Sequence, residues 1–427
     1  MCDSVVATGA TTAARQTLYA KNSDRKSGEC QPFVQTSEAW HPPLARLHCT
    51  HIEIPQVPET YRVMGHSPWW VWGFEHGVNE HGVAIGNHAI FPRDPLEESP
   101  GLIGMDLIRL GLERGQSARE SLEVMATLIE SHGQGGSALA PDAGGYHNSF
   151  VLADADEAWH LEAVNRRWVA RRVDLESISN HMSIGSGWEI ASRDFESFAR
   201  DTGLWMGQGR LDVAAAYRDR RIPDHISEGR CQRAAQLLAE GRGSHDVASF
   251  QRILRDHGAG GEVWRDAGAS VDEERLFTLC AHSEPVHWTT ASIVVPLPVD
   301  RDRPWPVWVS FGTPCTGIFL PVYLLGVLPP ALARGCEEPD EASAWWVFKE
   351  LQDAASRDPE RHTPWLREQW QPLESQIEVE RGRMEAAARH ALEDGDGDLA
   401  AELASRFMSQ SVEAALDHAR GLRAELD

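Results

Sequence analysis

Residues 1–25 read MCDSVVATGATTAARQTLYAKNSDR, and this stretch decides the fold. Two short apolar runs, Ser4–Ala7 and Thr17–Ala20, lie on either side of a segment of small residues. Such runs separated by a turn-forming segment predict a β-hairpin. If the chain reverses near residue 12 or 13, the first strand begins beside the end of the second, and Cys2 faces the polar segment Lys21–Arg25.

Cys2 carries the most informative chemistry. Methionine aminopeptidase removes Met1 when the second residue is small, so the mature chain would begin with a free α-amino group on the carbon that bears the thiol. An α-amine titrates near ~8 and a thiol near ~8.5, so both groups exchange protons close to working pH. One residue would then supply a nucleophile and its base. An inert buried cysteine is the alternative.

The segment opposite Cys2 offers partners for this chemistry. Asp24 could hydrogen-bond the α-amine and orient it, and Lys21 or Arg25 could favour the thiolate or bind a substrate carboxylate. The oxyanion of a tetrahedral intermediate needs hydrogen-bond donors as well. Asn79, in a turn before the predicted strand 83–87, and Asn180, at the end of another predicted strand, carry uncharged amides suited to that task.

Nine segments form an ordered set distributed over about the first three-quarters of the chain. They are residues 1–3, 19–25 (YAKNSDR), 54–61, 70–90 (WVWGFEHGVNEHGVAIGNHAI), 104–114, 147–173, 178–184, 289–294 and 312–322. Together they resemble the secernins and their relatives, the cysteine-nucleophile dipeptidases of the N-terminal-nucleophile (Ntn) hydrolase superfamily. Bile-salt hydrolases and penicillin acylases look like more distant relatives.

The resemblance implies an α+β fold, a four-layer αββα sandwich of two antiparallel sheets. By position, Cys2 matches the nucleophile, Asp24 the residue that holds its amine, Asn79 the oxyanion donor and Asn180 an active-site asparagine. Lys21 stands where more distant relatives carry Arg, and Lys is a point charge rather than a bidentate fork. The late active-site Arg of the bile-salt branch has no clear match; the segment 289–293 is its expected local replacement.

Other candidate residues have two interpretations each. Trp70, within a cluster of three tryptophans, could line a substrate pocket or pack in the core, and core packing is favoured. His147, after a Gly-rich loop at 133–147, could line the pocket or be structural, and the structural role is favoured. His41, His48 and His51 lack metal-ligand spacing. We therefore predict neither a metal nor a cofactor.

Composition limits the function classes. The chain has 427 residues, with 40 Lys+Arg against 64 Asp+Glu and a net charge of −24, which argues against nucleic-acid binding. Its seven cysteines are irregularly spaced and odd in number, which indicates a reducing compartment. The longest apolar run, 317–333, is broken by prolines and is too short to span a bilayer. We expect a cytoplasmic protein with no membrane partner.

The composition changes near residue 337, where the chain becomes acid-rich and strongly helical. We predict one Ntn-hydrolase domain over residues 1–336 and a helical extension over 337–427, packed on the core or at an oligomer interface. The sixteen tryptophans are expected mostly in the core.

The predicted function is hydrolysis of a small peptide or amide through a thioester on Cys2, as in a dipeptidase. Two alternatives stay open: a non-catalytic, secernin-like regulator, and an acyltransferase or amidohydrolase acting on a specific N-acyl metabolite.

Overall fold

A computed structural model describes residues 1–139, 144–258, 277–283 and 287–426. Its strands are β1 Cys2–Ala7, β2 Leu18–Arg25, β3 Phe33–Thr36, β4 Ala39–Trp40, β5 Arg46–His48, β6 Glu53–Pro55, β7 Glu59–Thr60, β8 Val63–His66, β9 His76–Asn79, β10 Ala84–Ile90, β11 His147–Ala153, β12 Ala158–Val164, β13 Arg167–Val173, β14 Leu175–Ile178, β15 Ile190–Ala191, β16 His282–Ser283, β17 His287–Pro296, β18 Val307–Phe311 and β19 Leu320–Val322. Its α-helices are α1 Gly104–Arg114, α2 Ala118–His132, α3 Phe195–Asp201, α4 Val213–Tyr217, α5 Glu228–Glu240, α6 Val247–Leu254, α7 Pro330–Ala333, α8 Ala344–Ala355, α9 Pro359–Glu393 and α10 Gly397–Leu426.

The strands form two large antiparallel sheets. Sheet A has the order β14-β1-β2-β17-β18-β19, with β16 paired to β17. Sheet B has the order β15-β13-β12-β11-β10-β9-β8-β3. The predicted hairpin is confirmed: β1 pairs with β2 in a register that places Cys2 opposite Ser23.

The two sheets pack face to face. Buried apolar residues from sheet A, such as Val6 and Ile293, share one core cluster with Val78 and Val151 of sheet B. Helices α1 and α2 cover the outer face of sheet B, and α5 and α6 cover the outer face of sheet A. The four layers confirm the predicted αββα sandwich.

The local boundaries follow the sequence in places and depart from it in others. Residues 104–132 form two helices, and Gly115 ends the first of them. Residues 133–146 contain no helix or strand where they are described, and 140–143 lie outside the described residues. The second strand of the hairpin is longer than the apolar run Thr17–Ala20. The polar segment Lys21–Arg25 continues β2 as a buried strand, because β1 and β17 pair with it on both sides and satisfy its backbone.

The C-terminal helices lie against sheet A. The indole N–H of Trp345 on α8 donates to the carbonyl oxygen of Thr290 at 2.9 Å. The indole N–H of Trp370 on α9 donates to the carbonyl oxygen of Thr316 at 2.9 Å. Both side chains are fully buried, as expected for most of the tryptophans. The division of the chain after residue 336 stays a prediction. Among the described helices, none is long and apolar enough to cross a membrane.

Candidate active site

Side chains alternate between the two faces of sheet A around Cys2, because successive residues of a strand point to opposite sides. On one face, Lys21 reaches Glu75 beside sheet B, and Ser4 contacts His88 of β10 at 2.8 Å. On the other face, Asp3 contacts Arg230 of α5. The charged segment of β2 is therefore divided: Lys21 and Arg25 face the space between the sheets, and Asp24 faces the helices.

Cys2 lies at the edge of the space between the sheets. Its side chain is only 6% exposed, and its thiol lies 3.9 Å from Oε2 of Glu75. Its backbone N–H donates to Oδ1 of Asn180 at 2.8 Å. Burial raises the pKa of the thiol; the charge of Lys21 opposes this rise and the charge of Glu75 adds to it. The thiol is thus held protonated until a base removes its proton.

Glu75, which sequence analysis did not single out, joins the two cations of β2. Its carboxylate accepts from Nζ of Lys21 at 3.2 Å and from Arg25 at 2.9 Å. Burial alone would raise the pKa of Glu75, but the charges of Lys21 and Arg25 hold it below its ordinary value. Glu75 is therefore an anion that balances the two cations beside the thiol. An acidic residue inside an otherwise apolar segment (WVWGFEHGV) was the available signal.

Asp24 lies beside the amino terminus. Its backbone carbonyl accepts from the α-amino group of Met1 at 2.8 Å, and its carboxylate accepts from the hydroxyl of Thr289 at 2.8 Å. Oδ2 of Asp24 makes no hydrogen bond to the described part of the chain. Burial raises the pKa of this carboxyl to about 6, against the pull of the amino terminus and of Arg230. Burial also lowers the pKa of the α-amino group of Met1.

Arg230 of α5 connects the groups around the amino terminus. Its guanidinium pairs with Asp3, donates to Oδ1 of Asn180 at 2.8 Å and lies 3.7 Å from Oδ2 of Asp24. It is fully buried. Sequence analysis favoured the segment 289–293 as the local substitute for a late arginine. The structure places a cation there from α5 instead, and Thr289 contributes a hydrogen bond to Asp24.

The two predicted oxyanion donors lie in different surroundings. Asn180 is next to Cys2, and its Nδ2 donates one hydrogen bond to the carbonyl of Ala89 at 2.9 Å. The Asn79 amide is used within its own turn. Nδ2 donates to the carbonyls of Leu112 and Gly115, and Oδ1 accepts from two backbone N–H groups. The expectation that Asn79 stabilises the oxyanion disagrees with this geometry, since all its hydrogen-bonding groups hold the turn and α1 together.

A model of peptidase family C69 matches residues 11–228. The chain belongs to peptidase family C69. The matched range contains Asp24, Glu75 and Asn180; it begins after Cys2 and ends before Arg230. As a C69 member with Cys2 at the start of β1, the protein is a cysteine-type hydrolase of amide bonds.

Three solved structures are similar at low identity. The C2A mutant of conjugated bile acid hydrolase from Clostridium perfringens is 13% identical over 73% of this chain and 89% of its own, with a TM-score of 0.42. The R18L variant of that hydrolase is 12% identical, with the same coverage and TM-score. The Caenorhabditis elegans ortholog of N-acylethanolamine-hydrolyzing acid amidase is 11% identical over 70% and 95%, with a TM-score of 0.35.

The substrate-binding candidates of this C69 peptidase differ in their freedom to bind. Lys21 is fully buried against Glu75. Arg25 is held by Glu29, Glu75 and the carbonyls of Ala138 and Leu139. Both cations are therefore engaged within the protein, which favours a supporting role over capture of a substrate carboxylate.

Trp70 and His147 occupy different places. The indole N–H of Trp70 donates to Glu29 at 2.8 Å, so Trp70 is linked to Arg25 through that carboxylate. Its ring, only partly buried, packs against an apolar cluster of Val71, Ala89, Ile103, Met105, Ala138 and Tyr146. His147 is hydrogen-bonded to Asn165 at 3.0 Å, and Asn165 in turn contacts Asp94. This arrangement matches the structural interpretation of His147 better than a substrate contact.

Proposed function

We propose that the protein hydrolyses dipeptides or other small amides, with Cys2 as the nucleophile and its own α-amine as the base. The observation that supports this most directly is the surroundings of the Cys2 nitrogen. It lies 2.8 Å from Oδ1 of Asn180, and Oδ2 of Asp24 on the neighbouring strand accepts no hydrogen bond from the described residues. Removal of Met1 would turn this nitrogen into an amine with both acceptors near it.

The proposed reaction uses the amine and thiol of Cys2 and one water molecule. The amine takes the proton of the Cys2 thiol, and the thiolate attacks the carbonyl carbon of the substrate. The α-ammonium returns that proton to the leaving amine as the tetrahedral intermediate collapses to a thioester. Water, deprotonated by the same amine, hydrolyses the thioester and releases the acid. Asp24 and Asn180 orient the amine, and Arg230 holds both of them.

Asn180 is the side-chain donor we propose for the oxyanion. An amide nitrogen carries two hydrogens, and in the described structure Nδ2 uses one of them for the carbonyl of Ala89. The second is free to stabilise a charge developing next to Cys2. Donors fixed in place before the reaction are the most effective form of this stabilisation.

Burial of the thiol favours a small substrate. At 6% exposure, Cys2 is out of reach of the main chain of a folded protein, so we propose a substrate as small as a dipeptide. The apolar cluster around Tyr146 adjoins the site, since Ala89 accepts from Asn180 and Ala138 from Arg25. We propose that this cluster and Trp70 contact an apolar side chain of the substrate.

The test combines mass and labelling. Intact mass shows whether Met1 is absent, and a substrate-like acylating probe should form a thioester on the Cys336→Ala protein, in which the exposed thiol is removed. Cys2→Ala in the same background should remain unlabelled. Retention of Met1 in the active protein, or turnover by Cys2→Ser at the parental rate, would refute the proposal.

A substrate panel distinguishes the alternatives. Dipeptides and N-acyl amino acids are offered with and without an added amine acceptor. Release of free acid supports hydrolysis, and product formed on the acceptor supports acyl transfer. A folded, Met1-free protein that turns over nothing supports the secernin-like regulator instead.

We also propose a cytoplasmic location. None of the seven cysteines, all of which lie in the described residues, forms a disulfide, and a reducing compartment keeps cysteines in that state. A homo-oligomer stays a prediction that a sedimentation measurement can check.

A further inference from the structure

Four metal-ligating side chains converge on the outer side of sheet A, away from the thiol. They are His257, Cys280, His282 and Cys315, and one ligand atom from each lies within 4.8 Å of all the others. The two cysteines and His282 are buried. We propose that these four residues bind one zinc ion in a closed, structural site.

The distances match a tetrahedral site. Nε2 of His282 lies 3.3 Å from Sγ of Cys280 and 3.4 Å from Sγ of Cys315. With zinc–sulfur bonds of ~2.3 Å and zinc–nitrogen bonds of ~2.0–2.1 Å, tetrahedral geometry separates sulfur and nitrogen ligands by roughly 3.6 Å. The imidazole ring of His257 completes the group, with its centroid 5.0 Å from that of His282.

The chain holds the ligands in place from three separate segments. His257 follows α6, and Cys315 sits in the turn Thr313–Thr316 after β18. Cys280 lies two residues before β16, and His282 begins that strand. The backbone N–H of Cys280 donates to the carbonyl of Asp256 at 3.1 Å. Nε of Arg255 donates to the carbonyl of Pro314 at 2.8 Å. Each segment is thus tied to another beside the ligands.

The ligand set selects the metal. Two thiolates and two neutral imidazoles suit zinc, and a divalent ion makes the set electrically neutral, which buried groups require. Four protein ligands leave no open position, so the ion would stabilise structure rather than activate water. A hydrogen-bonded thiol cluster or a Cys280–Cys315 disulfide is the competing state, and the experiment below separates them.

A short chain of hydrogen bonds connects the proposed zinc site to the carboxylate of Asp24. Ala281, between two ligands, donates its backbone N–H to the hydroxyl of Thr289 at 2.9 Å, and that hydroxyl donates to Asp24 at 2.8 Å. Asn22 on β2 donates to the carbonyls of Leu254 and Leu279, next to the ligand segments. Zinc would therefore fix the position of Asp24. This last step rests on the proposed function, whereas the site itself does not.

The first measurement is metal content. The full-length protein, purified in reducing buffer and dialysed, should carry one zinc per chain by mass spectrometry. Outer-shell changes at zinc sites already cost about 10–100-fold in affinity, so loss of a direct ligand in Cys315→Ser or His282→Gln should cost more. Cys49→Ser, which changes a buried cysteine outside the cluster, should keep its zinc.

Cobalt reconstitution tests the site without any substitution, so it still applies if a ligand variant does not fold. The unaltered protein, stripped with a chelator and given Co²⁺, should develop the visible absorption of a tetrahedral ion with thiolate ligands. Absence of zinc with no such spectrum would overturn the site, as would a Cys280–Cys315 disulfide in the reduced preparation or equal zinc in Cys280→Ser and the parent. Failure of hydrolysis alone would bear on the proposed function and not on the metal.

Discussion

Replacing Arg230 by Met tests whether one guanidinium holds the amine-binding groups together. The change keeps an unbranched side chain but removes the cation from Asp3, Asp24 and Asn180. Breaking a buried ion pair by removing one partner costs about 3–5 kcal/mol. We expect the free energy of unfolding to fall by about that amount at pH 8.

The pH dependence of this loss follows from Asp24. Its pKa is raised from 3.8 to about 6 by burial, so the folded state binds its proton more tightly than the unfolded state. At 1.36 kcal/mol per pKa unit, ionised Asp24 costs the fold about 3 kcal/mol above pH 6, and this cost vanishes at low pH. Without Arg230 the pKa rises further. The destabilisation should therefore be smaller at pH 5 than at pH 8.

The assay is urea unfolding followed by tryptophan fluorescence at both pH values. Arg406→Met, which removes an exposed pair with Glu402 on α10, is the control and should cost less than about 1 kcal/mol. A loss for Arg230→Met as small as that of the control, or one equal at pH 5 and pH 8, would refute the assignment.

The remaining predictions concern the reaction. If ionised Asp24 orients the amine, kcat/KM should fall as pH drops through about 6. The pH profile of Asp24→Asn should lack this acidic fall. An unchanged fall in that variant would assign it to another group. Asn180→Ala should lower kcat by about 10²–10³-fold, as removal of an oxyanion donor does. Asn79→Ala should instead lower the free energy of unfolding by about 1–3 kcal/mol for each buried group left without a partner, and it should leave the kcat of the folded enzyme nearly unchanged. Thermal melts measure the loss of stability, and active-site titration measures the kcat of the folded fraction. A large loss of kcat would restore Asn79 as an oxyanion donor. Glu75→Gln should lower the pKa of the Cys2 thiol by removing a neighbouring negative charge. The pH dependence of the rate at which Cys2 is alkylated measures this pKa. An unchanged or higher pKa would contradict the placement of Glu75 beside the thiol.

The sequence predicted the parts of the fold that local patterns determine. The hairpin and its register come from two apolar runs and a short connection, and so Cys2 and Asp24 were placed together correctly. The extent of β2 was missed because its charged end is satisfied by β17, some 270 residues away. Pairing over that distance leaves no local mark in a single sequence.

The site was predictable only where residues are close in the chain or in a recognised motif. Arg230 stands in a polar, helical stretch where one more arginine is unremarkable, and only tertiary packing buries it. The expectation for Asn79 does not fit its hydrogen bonds, because an asparagine that holds its own turn has the same sequence signature as one that contacts a substrate. His257 and Cys315 are 58 residues apart and belong to no ligand-spacing motif.

The division of β2 between two faces constrains how the protein can be altered. Successive side chains of a strand alternate between its two faces. Lys21 and Arg25 therefore stay on the face of the thiol, and Asp24 on the face of the helices, only while the number of residues in the strand is unchanged. Inserting one residue within Leu18–Arg25 would exchange the sides of everything beyond it, bringing the carboxylate toward the thiol and a cation toward the amine. Inserting two would restore the order. Tags or sensor peptides therefore belong in the exposed part of the connection, at residues 13–15, and directed evolution of β2 should explore substitutions rather than changes in length.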